Sequence, residues 1–330
     1  MPRLLLPQKW FRQRRRNFYT VPSTAITVKG EILRRSEYYT RSILSADYSY
    51  VFEPTPRSKH MFTPLSITYG KTSNESDEYL RKLNTLTANA WAASIDEKTV
   101  MMKYTFNYST DKESRFPIYW EVTASEAGNL SNLIFGKGTF SQFIKLETSF
   151  RKTWTMGEKS QAVAHFYGGI MKNIGGYDSA PFFERFYIGE ANDMRGFTQR
   201  SLGPGNLHYD DSDIGYRKHN GDMKLVINAE YRPWIFGSLY GAAFVDIGNV
   251  WVLNHELRER ENTADGINVS KADVGIDVGL GLRYDLDYFV IRLDWGFAIH
   301  KPYTTSKSGF FNVESFKDSS CLNFAIGYPF

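Results

Sequence analysis

One stretch, DVGIDVGLGLRY, constrains the fold more than any other part of the chain. From Val274 through Ile276, Val278, Leu280 and Leu282 to Tyr284 every second residue is apolar, and Asp273, Gly275, Asp277, Gly279, Gly281 and Arg283 fill the positions between. A period of two puts successive side chains on opposite faces, so the stretch predicts a β-strand with one apolar and one polar face. YFVIRLDWGFAIH repeats the pattern, with Phe289, Ile291, Leu293, Trp295, Phe297 and Ile299 on one face and Arg292, Asp294, Gly296 and His300 on the other. Only residues 285–287 separate the two runs, which predicts a hairpin. The same alternation marks 44–52, 102–108, 116–124, 140–150, 162–170, 223–231 and 322–330, with weaker runs at 24–34, 59–70 and 238–251, about twelve strands in all.

Strands of soluble proteins are mostly about 5–6 residues long, whereas a tilted strand needs about 9–11 to cross a bilayer. These runs have the longer length. They also place Arg, Asp, Lys and Glu at mid-strand opposite aromatic-rich faces, which a lipid-facing exterior around a polar lumen explains. Tyr48, Tyr50, Trp120, Trp154, Trp251 and Trp295 fall near run ends, where interfacial girdles of a membrane barrel sit. Helical patterning is confined to one candidate near 76–91, and no run of about 18 apolar residues exists to form a membrane helix. The chain has 330 residues, 21 Tyr and 24 Phe against 12 Pro, and a net charge of +4, which excludes a disordered polymer. Its one cysteine, Cys321, leaves no intramolecular disulfide and no cysteine-based zinc site. The basic segment 1–23 carries its charges after a short apolar stretch, unlike a secretory signal, and its cluster at 12–16 reads as a solvated charge run rather than a nucleic-acid site.

Catalytic readings find little support. There is no G-x-S-x-G, H-E-x-x-H or P-loop, and His60, His165, His208, His219, His255 and His300 are not spaced as a ligand cluster. Gly279-x-Gly281 lies inside a regular strand pattern and lacks the following helix of a dinucleotide site. Asp210, Asp211 and Asp213 offer oxygens without the spacing of a calcium loop. The expectation is a protein that is not an enzyme and has no cofactor or metal.

A long polar segment, 172–221, joins two strand runs where a hairpin would need only a few residues, and it carries ERFYIGEANDMRGFTQRSLGPG. The chain closes on CLNFAIGYPF, with Leu322, Phe324, Ile326, Tyr328 and Phe330 alternating, the typical aromatic ending of an outer-membrane barrel. PFFERFYIGEANDMRGFTQRSLGPG, followed by GDMKLVINAEYRPWIFGSLYGAAFVDIGNVW, GLGLRYDLDYFVIRLDWG and NFAIGYPF, resembles the barrel of the BamA/TamA-type outer-membrane assembly proteins, the bacterial surface antigen superfamily. RSLGPG is similar to the TamA-like surface lipoprotein variant. The motifs cover about 160–330, and a looser likeness begins near 40.

That resemblance implies an all-β transmembrane antiparallel barrel whose long loop folds back into the lumen. Arg195, Gly196 and Phe197 would form the loop tip. The wall residues matching the family's acidic partners are Glu230 in AEYR and Asp246 in FVDIGN, and alternation puts both on the lumen side. The strand bearing Leu322, Phe324, Ile326, Tyr328 and Phe330 would be one lip of a lateral seam. Two departures stand out. Glu190 occupies the second position of a family Gly-Gly, and the family's barrel has sixteen strands preceded by POTRA domains, whereas about twelve strands and no POTRA segment are read here. Residues 1–330 therefore read as an N-terminally incomplete barrel domain, a barrel completed by a part supplied elsewhere, or a closed twelve-strand barrel. The implied function is assembly, insertion or translocation of proteins in the outer membrane of a Gram-negative-type cell. Its partners would be outer-membrane lipids, client barrels or secreted proteins, and periplasmic or accessory assembly subunits. The alternatives are a pore for a secreted passenger, of the two-partner or patatin-fused type, and a passive porin.

Overall fold

The computed structural model describes residues 19–35, 38–78, 80–81, 97–110, 114–136, 140–174, 181, 183–208, 219–253, 273–317 and 319–330. The cluster at 12–16, most of the helical candidate and Asp210, Asp211 and Asp213 lie outside the described residues.

Thirteen antiparallel strands form one sheet. In chain order they are β1 (Ser23–Arg35), β2 (Tyr39–Thr55), β3 (Ser58–Ser73), β4 (Glu97–Ser109), β5 (Ile118–Ala127), β6 (Phe143–Met156), β7 (Ser160–Asn173), β8 (Met223–Arg232), β9 (Trp234–Phe236), β10 (Leu239–Trp251), β11 (Gly275–Asp285), β12 (Val290–His300) and β13 (Ser320–Ile326). Each pairs with its neighbour in sequence, except that β8 pairs directly with β10 and the three-residue β9 hangs from β10 alone. β9 is the strand beyond the expected twelve. Pro233, which has no N–H to give a ladder, separates it from β8. Among the described residues no ladder joins β1 to β13, so the sheet ends in two strand edges.

The alternation is realised as two unlike faces. Outward on β11 and β12 stand Leu280, Leu282, Tyr284, Leu293 and Trp295, all exposed, and inward stand Asp277, Arg283, Arg292 and Asp294, all buried. The sheet curves around its polar face: residues of the segment after β7 touch inward side chains from β2 to β12. Phe183 lies under Arg41 of β2, Glu184 is 4.0 Å from Lys145 of β6, and Arg292 of β12 donates to the Ala191 carbonyl at 2.7 Å. The interior core combines loop and wall residues, with Ile188, Met194, Phe197 and Leu202 packed against Val226, Val250 and Ala298.

Three expectations need correcting. Trp251 is buried rather than part of a girdle, because residues 221–222 cross its backbone and Asp222 donates to its carbonyl at 2.8 Å. β13 stops at Ile326 instead of running to Phe330. Gly327 adopts φ 93°, a left-handed conformation that glycine tolerates, and gives its N–H to the Val290 carbonyl at 2.7 Å. Tyr328 and Phe330 then leave the outward row of Leu322, Phe324 and Ile326. Phe330 stacks on His165 of β7 at 4.9 Å, and the Tyr328 ring lies 4.3 Å from the Arg232 guanidinium. Finally, a seven-residue helix, α1 (Asn129–Phe135), joins β5 to β6 and is too short for sequence periodicity to reveal.

The outward face, with its exposed apolar side chains, is the one expected to meet lipid. Leu293→Arg is therefore expected to destabilise the folded barrel by about 2–4 kcal/mol in denaturant titrations from vesicles. Thr123→Arg, on the inward face of β5, should change the midpoint little.

Candidate functional site

The inward faces of β8, β10, β11 and β12 line up in rows set by strand register. Asn228, Asp246, Asp277 and Ala298 face one another across four strands, and the adjacent row is Glu230, Phe244, Gly279 and Gly296. The second row contains a hollow at Gly296, since the Phe244 ring already covers Gly279. The loop tip fills it. A Cβ on Gly296 would lie 2.4 Å from the Arg195 carbonyl oxygen, and one on Gly196 would lie 2.4 Å from the Asp277 Cβ. Neither position has room for a side chain, so the glycines on tip and wall set the depth to which the loop descends.

At that depth Arg195 has no exposure to solvent, and neither do Glu230 and Asp246. Its Nε and Nη2 donate to the two oxygens of Asp246 at 2.8 and 2.9 Å, its Nη1 donates to Glu230, and its backbone N–H reaches Asp246 at 3.2 Å. The planar fork of donors suits this: one edge meets one carboxylate in bidentate fashion while the remaining donor meets another. The Phe244 ring lies beneath, its centroid 3.5 Å from Cζ of the guanidinium. Phe197 is buried in the apolar part of the interior against Gly275. Arg195, Gly196, Phe197, Glu230 and Asp246 are thus brought together in one cluster. Leu322, Phe324 and Ile326 stand apart from it on the outward face of β13.

Further residues complete the cluster. Glu230 also accepts from Arg232 Nε at 2.7 Å and Arg283 Nη2 at 3.2 Å, and Asp294 takes Arg283 Nη1 at 2.6 Å and Arg292 Nη1 at 3.1 Å. Asn228 donates to Asp246 at 2.8 Å and to the Asp193 carbonyl at 2.6 Å, so it ties the loop backbone to the wall. Arg292 reaches the loop at Ala191 and Asn192, Lys224 pairs with Asp193, and Asn323 of β13 donates to the Arg195 carbonyl at 2.9 Å. Glu190 stays half-buried, 3.5 Å from Gln199. Alternation had placed Arg283, Arg292 and Asp294 inward, but which acid each arginine would meet depends on register between strands.

The arrangement offers charge pairing and close packing, and among the described residues no acid, histidine or cysteine group is arranged to hold a metal. Residues 9–330 match the model of the Omp85 superfamily domain. The chain belongs to the Omp85 superfamily. A relative, the outer membrane protein assembly factor BamA of Nitratidesulfovibrio vulgaris, is 30% identical over 132 residues, which are 40% of this chain and 14% of that protein. Among solved structures, BamA from Haemophilus ducreyi lacking POTRA domains 1–3 superposes with a TM-score of 0.60 at 15% identity, over 88% of this chain and 57% of that one. CdiB from Acinetobacter baumannii gives 0.51 at 14% identity, over 92% and 46%. The chain spans about half the length of these two structures and a smaller share of the BamA relative. As an Omp85 domain it is an outer-membrane β-barrel.

Truncating Arg195 would leave the Asp246 carboxylate beside Asp277 with the Asn228 amide and the backbone N–H of residue 195 in place of a bidentate guanidinium. Arg195→Ala is therefore expected to cost about 3–5 kcal/mol of barrel stability, read from urea titration of the vesicle-embedded protein. Arg195→Lys should recover only part, since a point charge cannot address both acids in this geometry. Adding Asp246→Asn to Arg195→Ala should restore stability relative to the single variant.

Proposed function

We propose that this Omp85 barrel assembles or translocates client proteins at the outer membrane through a seam beside β13, acting by strand templating rather than by covalent chemistry. The observation that carries this reading is the edge of β13, which among the described residues pairs with β12 on one side and with no strand on the other, in a wall whose outward face is apolar. A strand edge in lipid leaves N–H and C=O groups without partners, each at a cost of several kcal/mol, and pairing with an incoming strand relieves it. The loop tip supports the reading mechanically. It ties β8, β10 and β12 together through charges and meets the strand β13 through the neutral amide of Asn323, so the tip grips that strand less strongly than the rest of the wall. The assembly role named for the BamA relative agrees with this use of the edge.

A photo-crosslinking residue at Phe324 of β13, in the intact protein reconstituted in vesicles with an unfolded client barrel, is expected to capture the client. The same residue at Leu146, mid-wall on β6, should not. Equal capture at both positions, or capture only from inward positions such as Asn107, would overturn the seam in favour of transport through the lumen.

Deleting residues 328–330 removes the stacking on His165 and the packing under Arg232. The yield of the heat-modifiable folded form on gels is expected to fall, and an unchanged yield would show that the tail contributes nothing to folding.

A further inference from the structure

The connection from β12 to β13, residues 301–319, is held by polar contacts with its own backbone. Asn312, buried at its centre, donates to the carbonyls of Lys301 at 2.9 Å and Tyr303 at 3.0 Å, and accepts the Lys301 N–H at 2.8 Å. Glu314 accepts the Ser306 N–H at 2.7 Å, and the Ser319 carbonyl accepts the Ala298 N–H at 2.9 Å, which extends the β12–β13 pairing to the base of the connection. With these polar groups satisfied inside, the phenyl rings are outside: Phe310, Phe311 and Phe316 are 52%, 62% and 65% exposed.

The rings do not stand away from the wall. Phe316 lies back along it, stacked on Phe297 at 4.4 Å and edge-on to Trp295 at 6.1 Å, both outward residues of β12. Phe310 stacks on His300 at 4.6 Å and meets Phe311 edge-to-face at 5.2 Å. One aromatic group thus carries the outward wall of β12 onto the connection at Phe316, and a second, Phe310 with Phe311, caps the rim at His300. Lys301, Lys307 and Lys317 lie along the same connection, against Glu314. Exposed rings in this number are costly in water, whereas rings flanked by lysines are at home where acyl chains meet headgroups: the rings enter the hydrocarbon and the ammonium groups extend to phosphates.

We propose that residues 301–317 form a membrane flap whose occupant is the lipid leaflet at the end of the barrel from which the long loop enters. Acyl chains cover Phe310, Phe311 and Phe316, and headgroup phosphates meet the lysines. The proposal rests on the outward face of β12 being the lipid-facing one. Because β13 begins at Ser320, the flap fixes the depth of the strand bearing the free edge.

The test uses the full chain with Cys321→Ser, carrying one environment-sensitive fluorophore at F311C, F316C, S308C or L293C, in phosphatidylcholine vesicles with or without phosphatidylglycerol. Doxyl-labelled lipids quench from the membrane and iodide quenches from water. The expected result is loss of most of the fluorescence at 311 and 316 to the doxyl lipids, with iodide protection that weakens when Lys301, Lys307 and Lys317 are replaced by Gln or when phosphatidylglycerol is omitted. Quenching at 311 and 316 by iodide alone, while 293 is quenched by lipid, would overturn the flap and leave the barrel reading intact. Iodide quenching at 293 as well would overturn both. Protection at 311 that appears only as protein concentration rises would identify a second copy of the chain as the occupant, and would likewise overturn the proposal.

Discussion

The Arg195 guanidinium lies wholly out of water, and a charge in that position persists only where opposite charge and hydrogen-bond acceptors replace its hydration. Much of the interior is arranged around that requirement. Asp246 and Glu230 supply the acceptors, Phe244 supplies a π-face and itself fits over Gly279, and Gly296 leaves the volume into which the tip fits. Glu230 and Asp294 then take up Arg232, Arg283 and Arg292, so positive and negative groups alternate through the cluster and none of these arginines faces the apolar interior alone. The network reaches β8, β10, β11 and β12 in the wall and the segment 191–195 in the loop. It therefore holds a wall of separate strands to a segment that lies across the sheet, whose bridge between Phe186 and Gly221 is outside the strands themselves.

Much of this was legible in the sequence, and for a simple reason. Parity along a strand is a local property, so Glu230, Asp246, Arg292 and Asp294 could be assigned inward from their neighbours alone. Register is not local. That Phe244 stands opposite Glu230, and that Gly279 stands opposite Gly296, depends on where each hairpin turns, which alternation does not encode. For the same reason Arg283 could be seen to face inward but not to bridge Glu230 on one side and Asp294 on the other. Family motifs in the chain filled part of that gap, because they matched Glu230 and Asp246 to the tip without any knowledge of register.

The last residues misled the reading differently. Leu322, Phe324, Ile326, Tyr328 and Phe330 alternate without a slip, yet the strand ends at Ile326. Gly327 turns the backbone, and Pro329 cannot donate to a ladder. Here backbone conformation overrode hydrophobic pattern at a point where one residue type carried the whole signal. Helix α1 escaped notice because two turns of helix are too few to show a period. Trp251 was misplaced because burial by a crossing segment, unlike facing direction, cannot be read from the strand that carries it.

The stacking of Phe330 on His165 has an energetic corollary. The His165 ring also hydrogen-bonds Asn228, at 2.9 Å, and Asn228 in turn holds both Asp246 and the loop backbone at Asp193. The tail, the β7 wall and the loop tip thus share one set of partners, with the Phe330 ring centroid 5.7 Å from the guanidinium carbon of Arg195. Energies of groups that share partners do not sum. A change made at residue 330 and a change made at residue 195 are accordingly two perturbations of one thermodynamic unit, and what either measures depends on whether the other is intact.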